Sequence, residues 1–280
     1  MTVEAILLGI AQDGGVPHAG CECANCERAW RDPAARQWVA CLGLADRDAG
    51  QAWLIDATPD FPQQLRALGQ AAPDCRLAGV LLTHAHVGHY VGLVHLGREV
   101  MDAQGLPLYV TPAMADYLRH NAPWSQLVRR GNVVLHPLQP GTETALSPQL
   151  AVAPLHVPHR DEFADTVAFV VRGPARRLFY CPDIDGWGDW EQDLRGLVDT
   201  VDVALLDGTF FNAAELPGRD MREVPHPLVT DTAGRLAGTA ADVRLVHLNH
   251  TNPLLAPGPE RDWLAQRGLH VGAFGDRWEL

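Results

Sequence analysis

The sequence predicts an α/β (α+β) fold in four layers: two mixed β-sheets packed face to face with helices on the outside, an αββα sandwich. Three observations carry this expectation. Short apolar, β-rich runs bounded by turn residues recur along the chain, they fall into two successive series, and helical stretches lie between some of them.

The first series is AILLGI at 5–10, AWLIDA at 52–57, GVLLTH at 79–84, PLYVTP at 107–112 and NVVLHPL at 132–138. The second is LAVAPLHV at 150–157, TVAFVV at 166–171, RLFYCPD at 177–183, VDVALLD at 201–207 and VRLVHLNH at 243–250. Helices are expected over FPQQLRALGQ from Phe61, from Gly92 to Ala103, from Asp189 to Leu197 and from Pro259 to Arg267. No fixed-period repeat, low-complexity tract or linker splits the chain, so residues 1–280 read as a single domain.

At 280 residues and 47% apolar content, the chain can bury a full core. Lys plus Arg total 22 against 34 Asp plus Glu, and the net charge of −12 opposes an extended grip on nucleic-acid phosphates. A small-molecule substrate fits better. The opening MTVEAILLGIAQDGG has no basic leader, and no apolar stretch approaches a membrane span, so a cytoplasmic protein without membrane attachment is expected. A homodimer paired through an exposed edge strand is compatible with this reading.

Thr83-His84-Ala85-His86-Val87-Gly88-His89 follows directly on the apolar run GVLL. A turn leaving a buried strand can aim several imidazoles at one point, and imidazole is the commonest metal-binding side chain. A second cluster, Cys21-Glu22-Cys23-Ala24-Asn25-Cys26, packs three soft donors into one short loop at about 18–28. Three thiolates with one more donor make a closed tetrahedral zinc site. Cys41, Cys75 and Cys181 are scattered through apolar contexts, so the clustering points to metal rather than disulfides in a reducing compartment.

The strand followed by His84-x-His86-x-x-His89 resembles the H-x-H-x-D-H signature of the metallo-β-lactamase superfamily. The resemblance continues in order through His159 in LHVPHRDEF, Asp183 in LFYCPDIDG and His247 in LVHLNHTNP. It implies the four-layer αββα sandwich of that superfamily, with these residues as metal ligands and Asp183 bridging two metal positions. The opening LLGIAQDGGVPHAGCECANC, the VPHRDE segment and HLNHTNP are similar to proteins related to pyrroloquinoline-quinone biosynthesis protein B. The cysteine cluster is also similar to that of PhnP, a cyclic phosphodiesterase, which implies His250 as the fourth ligand of a structural zinc.

Gly88 departs from the signature, because it stands where the superfamily places an aspartate for its second metal. His84, His86 and His159 would hold one metal, with His89 and His247 at a neighbouring position and Asp183 between them. Whether the centre takes one metal or two is left open. Zinc or manganese fits hydrolysis, whereas two imidazoles and a carboxylate also suit Fe(II).

Asp207 in VALLDGTFF resembles an aspartate that orients a metal-binding histidine in phosphodiesterase-like members, and His226 in VPHPLVTD is placed like their general acid. Asp13 and Asp56 lie at strand ends and read as structural; the glycines of AQDGG permit close backbone approach to the metal loops. Trp187 and Trp190 would either wall a pocket or pack in the core, and Arg160 is a candidate anion anchor. The leading expectation is a hydrolase in which metal-activated water attacks a small phosphodiester, ester or lactone. An iron-dependent oxygenase of quinone-cofactor biosynthesis and a non-catalytic metal-retaining carrier are the competing readings.

Overall fold

In chain order the computed structural model contains β1 (Val3–Gly9), α1 (Ala24–Arg31), β2 (Cys41–Asp46), β3 (Gln51–Ile55), α2 (Phe61–Ala71), β4 (Arg76–Leu81), α3 (Val87–Tyr90), β5 (Leu106–Val110), α4 (Pro112–His120), α5 (Trp124–Arg129) and β6 (Val133–Pro137). The second half contains β7 (Thr144–Ala145), β8 (Ala151–His156), β9 (Val167–Arg172), β10 (Arg177–Cys181), α6 (Leu194–Val198), β11 (Val203–Asp207), α7 (Val229–Leu236), β12 (Asp242–Val246), α8 (Pro259–Ala265), β13 (Leu269–Val271) and β14 (Arg277–Glu279). The structure describes residues 3–216, 218 and 221–280.

Two seven-stranded mixed sheets result, in the orders β14-β1-β2-β3-β4-β5-β6 and β13-β12-β11-β10-β9-β8-β7. The two series of apolar runs are thus one sheet each. The period of two decides what each face packs against. Leu7, Trp53, Ile55 and Leu81 face the second sheet, meeting Phe169, Phe179 and Leu205. Their neighbours Ile6, Leu8, Leu54 and Val80 pack outward against Phe61 and Leu68 of α2 and Leu93. Burial on both faces explains why these strands read as nearly unbroken apolar runs.

Two expected helices are shortened. Over 92–103 only a 3-10 turn forms, at Val91–Leu96, because the chain presses on its neighbours there: a Cβ on Gly92 would lie 2.2 Å from the Thr58 carbonyl oxygen. Over 189–197 only α6 is helical, started where the Asp193 carboxylate accepts from the Arg195 amide. The helices from Phe61 and Pro259 form as expected. The sequence reading passed over β2, α1, α4, α5 and α7, as well as the short strands β7, β13 and β14.

Parallel pairing of β3 with β4, of β10 with β11 and of β11 with β12 brings the ends of these strands to one edge of the sandwich. Loops that leave parallel strands at a common edge converge, and they carry the polar residues.

Candidate metal centre

Asp56 follows β3, Thr83 to His89 follow β4, His159 follows β8, Asp183 follows β10, Asp207 ends β11 and His247 follows β12. Their donor atoms meet in overlapping groups, each within 4.8 Å: His84, His86, His159 and Asp183; Asp183, Asp207, His226 and His247; and Asp13, His89 and His247. Asp183 Oδ2 lies between the first and last groups, 3.4 Å from His84 Nε2, 3.2 Å from His159 Nε2, 3.9 Å from His89 Nε2 and 3.6 Å from His247 Nε2. His247 adopts φ 60, a left-handed conformation uncommon outside glycine, held as the chain turns sharply off β12.

Hydrogen bonding on the far side of each ring settles which nitrogen faces inward. A carboxylate only accepts, so Thr83 Oγ1 donates to Asp56 (3.0 Å) and must accept from His84 Nδ1 (2.9 Å). His89 Nδ1 donates to Asp56 (2.7 Å) and His159 Nδ1 to Asp185 (2.8 Å). Thr209 Oγ1 donates to the His247 carbonyl and accepts from His247 Nδ1 (3.0 Å). His86 is turned the other way, with Nε2 donating to Glu162 (3.0 Å) and Nδ1 inward. In its neutral form each ring therefore turns a lone pair toward the centre.

Those lone pairs face one another at 3.0 Å (His86 to His159) and 3.3 Å (His89 to His247). Among the described residues, His84 Nε2, Asp183 Oδ1 and Asp13 Oδ1 are buried without a hydrogen-bond partner. Buried acceptors aimed at each other are costly unless a cation or proton lies between them. The donor set therefore fits a divalent metal centre, with its outer nitrogens held as metal-binding histidines require.

The same demand for positive charge shows in the titrating groups. Burial opposes charge on His89, but Asp56 and Asp13 raise it to about 10. His226 is likewise raised against burial, to about 9, by Asp207 and Asp183. Asp183 stays well below the usual carboxylate range despite burial, because His247, His159 and His226 surround it. Burial drives His84 well below its ordinary value.

The cysteine cluster forms a second, separate group: Cys21, Cys23, Cys26 and His250 place one donor each within 4.8 Å. His250 Nδ1 is 3.3 Å from Cys21 Sγ and 3.5 Å from Cys23 Sγ. The loop is latched to the C-terminal turn independently, by Asn25 Nδ2 on the carbonyls of His250 and Asn252 and by Arg28 on that of Leu255. His18 stacks on His250 with ring centroids 4.4 Å apart.

Asp207 holds a histidine of the centre, and that histidine is His226. Its carboxylate accepts from His226 Nδ1 at 2.9 Å, while Thr209 holds the metal-facing His247. Trp187 and Trp190 are buried, with indole N–H groups on Thr232 and the His156 carbonyl, so they pack in the core. Arg160 is exposed, close enough for its charge to act on His86 and His226. Asp56, read as structural, orients His89, and Asp13 lies against the centre. For Asp56, its place at a strand end beside the histidine loop was the available signal.

The profile of the family described as Beta-lactamase superfamily domain matches residues 52–258. Coenzyme PQQ synthesis protein B of Klebsiella pneumoniae is 30% identical over 303 residues, covering 96% of each chain. The chain belongs to the metallo-β-lactamase superfamily, in the branch related to PQQ synthesis protein B. Within that superfamily, the crystal structure of Zn(2+)-bound PqqB from Methylobacterium extorquens superposes with a TM-score of 0.83 at 24% identity, covering 99% of this chain and 100% of that one. A diphosphatase from the PhnP family superposes with a TM-score of 0.70 at 20% identity, covering 100% and 98%. The fold and the donor groups together support a metal cofactor.

Proposed function

We propose that this protein is a metal-dependent hydrolase that uses an activated water to attack a small phosphodiester, or a related ester or lactone. The observation that carries this reading is the convergence of five inward-facing imidazole nitrogens on the Asp183 carboxylate. His84, His86, His159 and Asp183 would hold one metal, and His89 and His247 would flank a second position with Asp183 between. Zinc or manganese bound there lowers the pKa of water to near neutrality and stabilises the charge that develops on the attacked centre.

The chain's own groups do the rest. Asp183 is fixed among the rings so that one oxygen reaches both positions. Asp207 anchors His226 Nδ1 and, with Asp183, raises the ring against burial to about 9, so the imidazolium would carry Nε2–H as the proton to pass to the leaving oxygen. Arg160 at the rim would attract an anionic substrate. The Cys21, Cys23, Cys26 and His250 group would hold a structural zinc. None of the six cysteines is in a disulfide, which suits a cytoplasmic setting; no helix among the described residues is long and apolar enough to cross a membrane.

The three imidazoles of the first position depart from the facial set of two histidines and one carboxylate used by iron oxygenases, whereas His89, His247 and Asp183 match it, so iron-dependent oxygen chemistry at the second position is the competing reading. His86→Ala should abolish turnover of bis(p-nitrophenyl) phosphate or of whichever ester or lactone the wild type cleaves. Equal rates in the two proteins would refute the centre, and iron-dependent oxygen uptake without hydrolysis would favour the oxygenase.

A further inference from the structure

Position 88 is glycine where the superfamily signature has aspartate, yet the space for that aspartate is not vacant. A Cβ built on Gly88 would lie 2.0 Å from Asp13 Oδ1, 2.5 Å from Asp13 Cα and 2.8 Å from Asp13 Cγ. The turn after β1 therefore occupies the volume that a side chain from α3 would need. Only one of the two positions can present a carboxylate there.

Asp13 presents one. Its Oδ1 lies 3.4 Å from His89 Nε2 and 4.0 Å from His247 Nε2, the two nitrogens that face each other at 3.3 Å. The same oxygen is buried and, among the described residues, makes no hydrogen bond. An aspartate that merely capped the AQDGG turn would turn its oxygens to the backbone amides of Gly14 and Gly15. Gly14 leaves no room for that residue to carry a side chain, since a Cβ there would meet the His18 ring at 2.3 Å, so the turn can press Asp13 inward.

We propose that Asp13 is the carboxylate ligand of the second metal position, taking the place of the aspartate absent at residue 88. His89, His247, Asp13 and Asp183 then form a two-nitrogen, two-oxygen donor set for a divalent ion, and the centre is a two-metal site despite its incomplete signature. The inference rests on the metal-centre reading above. It is specific to this chain's own pairing of Asp13 with Gly88.

Metal counting tests it without recourse to turnover. Asp13→Asn keeps the shape of the side chain and removes the charge. Zinc-loaded protein, dialysed against a weak chelator and counted by mass spectrometry, should then hold one ion fewer per chain than wild type. Anomalous scattering should locate the loss between His89 and His247, with the Cys21, Cys23, Cys26 and His250 ion retained. The double variant Asp13→Gly/Gly88→Asp moves the carboxylate from one chain segment to the other and should restore the wild-type count. Asp13→Asn binding the full complement with wild-type affinity would overturn the assignment while leaving the metal centre standing. Wild type that takes up no ion at the histidines would overturn both. An affinity for the second ion weakened by more than about tenfold is the smallest effect that supports the proposal.

Discussion

Each imidazole of the centre commits one nitrogen to the protein, and that commitment aims the other at a shared point where a metal could be held. Thr83, Asp56, Thr209, Asp185 and Glu162 are the partners, and none of them lies in the histidine motif except Thr83. His226 is the exception in chemistry: its anchored nitrogen faces Asp207 and its other nitrogen has a proton to give. His226→Ala should therefore slow cleavage of a substrate with an alkoxide leaving group by about 10²–10⁴-fold. The same change should matter much less for p-nitrophenyl esters, whose leaving anion needs no proton. Comparing kcat for the two leaving groups checks this; an equal loss on both would assign His226 a positioning role instead.

At the scale of elements, short loops after parallel strands do the gathering. The motif histidines were legible because strand β4 ends where they begin, and the order His84, His86, His89, His159, Asp183, His247 follows the strand ends. The cysteine loop was legible for the same local reason, although Cys26 proves to sit in the first turn of α1. What joins that loop to the rest is the turn from His247 to His250, which serves both groups of donors. Cys23→Ala should remove one zinc equivalent and destabilise the fold by on the order of 2 kcal/mol, roughly 5 °C in Tm. Elemental analysis and a thermal melt read the two effects. The latches from Asn25 and Arg28 should keep the loop attached, so an unchanged zinc content would sink the structural site outright.

At the scale of the molecule, the C-terminus ties the two sheets together. β14 pairs with β1 in the first sheet, and its Trp278 indole donates to Asp242 of β12 in the second at 2.9 Å. Burial raises the Asp242 pKa, but Arg244 and Trp278 outweigh it and hold the carboxyl below 3.8. A carboxylate lowered by folding contributes stability that is complete above its unfolded pKa and is lost as pH falls through its folded one. Asp242→Asn should thus melt below wild type at pH 7, with the gap closing below about pH 4. The group is partly exposed, so the gap should not exceed about 1 kcal/mol. A difference independent of pH in paired melting curves would rule out the carboxylate as its cause.

The sequence by itself determined the two-sheet sandwich and the histidine and cysteine groups, because strand periodicity and donor spacing are local properties of the chain. It missed β14 and the shortened helices, where three-residue pairing or a crowded glycine outweighs propensity. Only the tertiary structure decided the tautomer of each ring, the partner of Asp207 and the place of Asp13. Those depend on side chains from separate strands meeting at one edge, a contact that neither spacing nor composition encodes.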